Sequence, residues 1–164
     1  MPTQPLTPAQ ALAKAEELCA ISEQCEADIR TRLIRWGISR SDADLIIDRL
    51  IEHRYIDDRR FAAAYVRDKL NHARWGCRKI LAALAAKHIS RRIATEALDD
   101  EFDGERYAET LFRIIRTKAR NMERPLSRDD RMRLARFAVN RGFETGIILD
   151  TIRDIARDGD IDID

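Results

Sequence analysis

The residues of this chain that could carry out redox or metal chemistry are few and widely separated. Its three cysteines, Cys19, Cys25 and Cys77, are odd in number and lack CxxC spacing. This pattern is typical of reduced core thiols in a cytosolic protein. The three histidines are scattered and show no metal-ligand spacing. We therefore predict a cytoplasmic protein with no metal and no other cofactor.

Catalytic signatures are also missing from the sequence. Adjacent carboxylates at Asp57 and Asp58 suggest a catalytic pair, but their place before an apolar helical stripe favours a helix cap and a dipole partner. We find no Gly-rich phosphate loop and no GxSxG nucleophile motif. An apolar run of the ~18 residues that a membrane span needs is absent as well. The sequence therefore predicts a non-enzymatic protein that does not enter a membrane.

The distribution of charge favours binding instead. Lys+Arg (30) and Asp+Glu (29) nearly cancel, but the signs segregate along the chain. Residues 67–79 hold five bases and one acid, and residues 113–136 hold nine bases and three acids. Residues 96–109 have a net charge of −6, and residues 144–164 one of −5. A single run is typical of a solvated helix face, whereas two basic runs favour a surface that follows a phosphate backbone or an acidic protein groove.

Amphipathic helices must position these charges. Apolar residues recur at helical spacing, and no convincing period-two strand is present, so the sequence predicts an all-α fold. Thr7, Ser39, Ser90 and Ser127 precede apolar stripes as N-caps. The predicted helices cover residues 8–21, 23–36, 39–53, 58–72, 76–87, 90–102, 104–120, 127–141 and 144–157.

A repeat of about fifty residues organises these helices. Gly37, His88 and Gly142 lie 51 and 54 residues apart, and apolar residues fall at the same offsets from each. They are Ile29, Ile80 and Leu134 eight residues before, Ile38, Ile89 and Phe143 one after, and Ile47, Leu98 and Ile152 ten after. We predict three tandem three-helix repeats (8–56, 57–102 and 103–158) and an acidic tail (159–164), stacked into an elongated, curved body. One compact nine-helix globule is the alternative.

The repeated anchor is interpreted as a helix C-terminus. A glycine just past the last turn takes the left-handed conformation, and the next apolar residue folds back onto the helix. His88 replaces glycine in the second repeat, which should lower stability at that turn.

The stretch Tyr55-Ile56-Asp57-Asp58-Arg59-Arg60-Phe61-Ala62 resembles the RecX family, regulators of the RecA recombinase. The resemblance continues through Trp75-Gly76-Cys77-Arg78-Lys79-Ile80 and His88-Ile89-Ser90, and it covers about residues 11 to 157. Outer matches are Leu33 with Gly37, and Arg141-Gly142-Phe143. The chain departs from the family pattern at Arg54 and His88, where glycine is usual, and at Cys25, where a serine cap is common.

The resemblance implies a three-repeat helical crescent that lies in the groove of RecA filaments on single-stranded DNA. We expect a monomer. There it would suppress ATP hydrolysis, strand exchange and coprotease activity. It supplies no catalytic residues, so we predict contact residues from charge and position: Arg67, Arg74, Arg78, Lys79, Arg131, Arg133, Arg136 and Arg141. An autonomous binder of single- or double-stranded DNA, and a helical scaffold for another protein, are the alternatives.

Overall fold

The computed structural model describes residues 5–158, and these form nine α-helices and no β-strand. The helices are α1 (Pro8–Ile21), α2 (Glu26–Arg35), α3 (Arg40–Glu52), α4 (Asp58–Asn71), α5 (Cys77–Ala86), α6 (Arg91–Glu101), α7 (Gly104–Ala119), α8 (Arg128–Asn140) and α9 (Thr145–Asp158). The predicted all-α class is confirmed. The predicted acidic tail lies outside the described residues.

Polar side chains begin the helices where the sequence predicts caps. The Thr7 hydroxyl accepts from the backbone N–H of Gln10, and the Gln10 side chain accepts from that of Thr7. Ser127 and Asp130 form the same reciprocal box at the start of α8. Each box satisfies N–H groups that the first helical turn leaves without partners.

The start of α2 is the one predicted start in the described chain that is wrong by more than a residue. The helix begins at Glu26 rather than at residue 23, because the backbones of Ser22 and Cys25 are extended. Cys25 gives α2 no side-chain cap. The Asp58 carboxylate, at the start of α4, lies close to the Glu26 backbone instead.

The three repeat anchors share one backbone geometry. Gly37, His88 and Gly142 all have left-handed φ angles, of +86°, +60° and +94°. After each anchor, the next N–H donates to the carbonyl five residues earlier: Ile38 to Leu33 (3.1 Å), Ile89 to Leu84 (3.1 Å) and Phe143 to Ala138 (3.2 Å). All nine apolar residues of the predicted register are buried. The repeat register is therefore confirmed at the level of single hydrogen bonds.

Residue contacts divide the chain into two compact units. The first unit comprises residues 5–65 and 84–97, and its core joins α1, α2 and α3 through side chains such as Ile29, Leu33 and Leu50. The second unit comprises residues 66–83 and 98–158. In that unit α7, α8 and α9 pack on one another around buried Leu111 and Phe143. The predicted repeat boundaries, and the predicted elongated shape, stay predictions.

Candidate basic interface

Within the second unit, the turn before α5 lies against the turn after α8. The Gly76 N–H donates to the Arg141 carbonyl (2.7 Å), and the Arg78 N–H donates to the Gly142 carbonyl (3.1 Å). Between them, the Cys77 N–H donates to the Tyr107 hydroxyl (2.9 Å). Three of the N–H groups that open α5 are thus satisfied by distant parts of the unit rather than by a local cap.

Tyr107 is the buried centre of this contact. Its hydroxyl accepts from Cys77 and donates to a carboxylate oxygen of Glu144 (2.8 Å). Burial raises the pKa of Tyr107 far above its usual range, and the hydrogen bond to Glu144 acts in the same direction. Burial also raises the pKa of the Cys77 thiol, although its hydrogen bond to Tyr107 opposes the shift. Both groups therefore stay protonated at neutral pH and serve as structural groups.

Arg141 fastens the same contact with its side chain. Its guanidinium donates from one nitrogen to the carbonyls of Ala73 (2.8 Å) and Arg74 (3.1 Å), and its buried Nε has no partner. Arg141 is half-buried. This predicted contact residue therefore holds the turn that presents Arg74, and one of its guanidinium nitrogens is used for hydrogen bonds inside the protein.

Basic side chains surround an aromatic ring on the outside of this contact. Arg74 and Arg78 are exposed, and the Lys79 ammonium lies 4.2 Å from the ring centroid of half-buried Trp75. A second lysine, Lys69, lies 5.3 Å from that centroid. We call Arg74, Trp75, Arg78 and Lys79 the basic joint surface. Such a cluster suits an anionic partner, and Trp75 adds a flat surface for stacking.

The other predicted contact residues lie elsewhere in the second unit. Arg67 is ion-paired with Glu101, at 2.5 Å, so its charge is largely balanced. Arg131, Arg133 and Arg136 are all exposed on α8. At about 100° of rotation per helical residue, Arg131 and Arg133 point to nearly opposite sides of that helix. The structure thus gathers four of the predicted residues at one contact (Arg74, Arg78, Lys79 and Arg141) and separates the rest.

Sequence reasoning missed an arginine-lined depression at the end of α7. Its walls are Arg113, Arg116, Arg120 and Arg124, together with Thr117. Arg113 pairs with Glu109 (2.5 Å), and Arg124 donates to the Ile155 carbonyl (3.1 Å). The spacing of three and four residues places Arg113, Arg116 and the C-cap residue Arg120 on one side of α7, and that signal was available within the basic run 113–136. Arg124 joins them from the segment beyond the helix.

The remaining candidates for chemistry have structural roles. Asp57 caps α4, because one of its carboxylate oxygens accepts from the N–H groups of Arg59 (2.9 Å) and Arg60 (3.1 Å). Burial raises the pKa of Cys25 to about 11. Within residues 5–158, His, Cys, Asp and Glu side chains form no group able to hold a metal ion. In the same range, no helix is long and apolar enough to cross a membrane.

Comparisons with known proteins identify the family. A model described as the second three-helix domain of RecX matches residues 57–98. The chain is 30% identical over 152 residues to the regulatory protein RecX of Thermus thermophilus, covering 92% of this chain and 96% of that protein. It is 27% identical over 150 residues to the regulatory protein RecX of Chlorobium limicola, covering 92% of each.

Solved structures show the same fold. The crystal structure of RecX from Lactobacillus salivarius superposes with a TM-score of 0.76 at 22% identity, over 90% of this chain and 96% of that one. A second crystal structure, of a regulatory protein RecX, gives a TM-score of 0.74 at 24% identity, over 90% of this chain and 73% of that one.

Fold and relatives together define an all-helical protein of a regulatory class, whose similar proteins are named as regulators and not as enzymes. The chain belongs to the RecX family.

Proposed function

We propose that this chain binds RecA recombinase filaments on single-stranded DNA and restrains their ATP hydrolysis, strand exchange and coprotease activity. It acts by docking a basic face into the filament groove, as a monomer in the cytoplasm, without a cofactor and without chemistry of its own. The observation that supports this most directly is the basic joint surface, where exposed cations are held on a turn that Gly76, Tyr107 and Arg141 fix in place.

The basic joint surface has the properties that such docking needs. Its cations lie on a turn whose backbone is held by hydrogen bonds, so little backbone entropy is lost when a partner binds. Positive charge on an otherwise neutral protein attracts an anionic filament without causing strong non-specific binding. Of the predicted residues, we assign Arg74, Arg78 and Lys79 to direct contact, Arg131, Arg133 and Arg136 to a second contact on α8, and Arg141 to positioning.

The test measures ATP hydrolysis by RecA on single-stranded DNA as this protein is added. We expect the wild-type protein to lower the rate at micromolar concentrations. The double variant Arg74→Glu/Arg78→Glu should need at least about tenfold more protein for the same effect, which corresponds to about 1.4 kcal/mol of binding. The loss should shrink as salt rises, because salt screens exposed charges.

A matched double variant, Arg32→Glu/Arg35→Glu, is the control. These arginines are exposed at the end of α2 in the first unit. Their replacement by glutamate changes the net charge by the same amount as the substitutions at Arg74 and Arg78. The control should inhibit as the wild type does. Wild-type protein that leaves the rate unchanged would refute the function. A basic-joint variant that inhibits as well as the control would refute the surface.

A second candidate function, autonomous DNA binding, is favoured by the arginine-lined depression of Arg113, Arg116, Arg120 and Arg124. Guanidinium groups gathered in one depression suit successive phosphates. This function predicts binding to naked single- or double-stranded DNA that weakens steeply with salt. The test is a gel-shift experiment at low salt. If DNA shows no shifted band at micromolar protein, autonomous DNA binding is refuted.

A further inference from the structure

An open groove between α8 and α9, within the second unit, has an apolar floor. Met132 from α8 and Leu149 from α9 line this groove, and they are 49% and 51% exposed. Single exposed apolar side chains are common on protein surfaces, but two that share one groove are typical of a site that binds another apolar surface. The floor therefore favours an occupant with apolar side chains of its own.

The rim of the same groove carries four positive charges. Arg128 and Arg131 come from α8, and Arg153 and Arg157 come from α9. Arg153 pairs with Asp150 at 3.0 Å, but both side chains are more than half exposed, so the pair is weak. Among residues 5–158, no ion pair involves the other three arginines, and no acidic residue of that range lines the groove. Charge complementarity therefore requires an acidic occupant.

The dimensions of the groove suit an α-helix. Ala135 on α8 and Ala156 on α9 also line it, and these small side chains let the backbone of an occupant lie close. Leu149 and Ala156 are seven residues apart, about 10 Å along α9 at 1.5 Å per residue. A helix of about two turns covers that length. An amphipathic helix that lays its apolar side into such a groove is a recurring mode of peptide recognition.

The apolar floor also favours a protein over a nucleic acid as the occupant. A phosphate backbone would pair with the arginines, but it would leave Met132 and Leu149 in contact with water. Within the described chain, no aromatic side chain on which a base could stack lines this groove. The basic joint surface differs in this respect, because it contains Trp75.

We propose that the groove between α8 and α9 binds an acidic amphipathic helix of a protein partner. Apolar side chains at every third or fourth position of that helix pack on Met132 and Leu149. Aspartates and glutamates beside this row pair with the arginines of the rim. The site shares Arg131 with the proposed filament contact on α8, but it does not depend on filament binding, and it can be measured without a filament.

The experiment titrates a designed peptide into the full chain, labelled at its methionine methyl groups, without RecA and without DNA. The peptide is a helix with leucines at positions i, i+3 and i+7 and glutamates on either side of that row. We expect the Met132 methyl resonance to shift with a Kd below about 1 mM. The methyl resonance of Met122, which does not line the groove, should stay in place. A peptide with lysine at each glutamate position should bind at least about tenfold more weakly.

Charge reversal tests the rim. Arg128→Glu/Arg157→Glu should raise the Kd of the acidic peptide at least about tenfold, because two attractive charges become repulsive. Neither residue is assigned to filament contact above. The matched control is Arg32→Glu/Arg35→Glu on α2, where both arginines are exposed, and it should leave the Kd unchanged.

Truncation tests the floor. Leu149→Ala should raise the Kd of the acidic peptide about threefold or more, because it removes apolar surface that the peptide would bury. Leu45→Ala is its control, since Leu45 is 68% exposed on α3, and the same truncation there should leave the Kd unchanged.

Three outcomes would overturn the proposal. If millimolar acidic peptide leaves the Met132 resonance in place, or if the lysine peptide binds equally well, the groove does not bind acidic helices. If a single-stranded oligonucleotide shifts that resonance at lower concentration than the peptide does, the groove is a nucleic-acid site. If dilution of the free protein shifts it, the occupant is a second copy of this chain. Peptide binding by a protein that fails to inhibit RecA would refute the proposed function alone.

Discussion

The backbones of Gly76 and Gly142 touch, so that a β-carbon on Gly76 would lie 2.1 Å from the carbonyl carbon of Gly142. The atoms that it would strike are backbone atoms of a left-handed turn, which cannot move aside as a flexible side chain can. This close approach is what lets the Gly76 N–H reach the Arg141 carbonyl. Glycine is therefore required at position 76 for packing, and at position 142 for both packing and backbone conformation.

Gly76→Ala should destabilise the protein by about 1–3 kcal/mol or more, as overpacking does elsewhere. The free energy of unfolding, measured by urea denaturation, is the test. Gly146→Ala is the matched control, because Gly146 lies inside α9 and a β-carbon there would meet nothing within 4 Å. Alanine should stabilise that helix by about 0.5–1 kcal/mol. Equal effects at the two sites would contradict the packing argument.

Tyr107→Phe should cost about 1–3 kcal/mol, since it leaves the buried Cys77 N–H without an acceptor and removes the donor to Glu144. Thermal unfolding measures the loss. Tyr55→Phe serves as its control, because Tyr55 is 37% exposed and no hydrogen bond of its hydroxyl is seen among the described residues. A Tyr107→Phe protein as stable as the Tyr55→Phe protein would show that the hydroxyl is dispensable.

His88→Gly should stabilise the protein by about 1 kcal/mol, because His88 is exposed and holds a φ of +60° that a non-glycine residue adopts at a cost. His53→Gly is the comparison. His53 is also exposed at a helix end, but its φ is −85°, so glycine there relieves no strain. Midpoints of denaturation compare the two variants. A gain at position 53 equal to that at position 88 would contradict backbone strain as the cause.

Asp58→Asn should raise the melting temperature at pH 7 and leave it nearly unchanged near pH 3. Burial raises the pKa of Asp58, and the carboxylates of Glu26 and Asp57 act in the same direction. Because folding raises the pKa of this carboxyl group, its protonated form contributes fully to the stability below the pKa of the unfolded state. That contribution is lost as the pH rises through the pKa of the folded state. Asparagine keeps the shape of the side chain without that loss.

Asp48→Asn, at an exposed position in α3, is the control for this change of charge. It should shift the melting temperature little at either pH. An Asp58→Asn protein that melts below the wild type at pH 7 would mean that the carboxylate charge stabilises the start of α2 more than burial penalises it.

Local features of this fold were predictable because they depend on neighbouring residues. Gly37, His88 and Gly142 mark helix ends through the backbone conformation that each end requires, and the offsets of buried apolar residues follow from helical periodicity. Thr7 and Ser127 were predictable as caps for the same reason, since each acts on a group three residues away.

Contacts between distant elements were not predictable. The Tyr107 hydroxyl meets the Cys77 N–H across 30 residues, and the Arg141 guanidinium meets the Ala73 carbonyl across 68 residues. Both contacts depend on which helix faces pack together, and the periodicity of one helix does not predict which helix lies beside it. The predicted start of α2 was wrong for a similar reason, since Cys25 gives no side-chain cap and the residue close to that helix start is Asp58, from α4.

The position of Trp75 has a practical consequence for watching this protein in solution. The sequence contains two tryptophans, and each compact unit holds one: Trp36 in the first and Trp75 in the second. The Lys14 ammonium lies 4.7 Å from the Trp36 ring centroid, and that of Lys79 lies 4.2 Å from that of Trp75. In a Trp36→Phe protein, the intrinsic fluorescence would come from Trp75 alone, so the emission of a single native side chain would report on the basic joint surface without any attached dye.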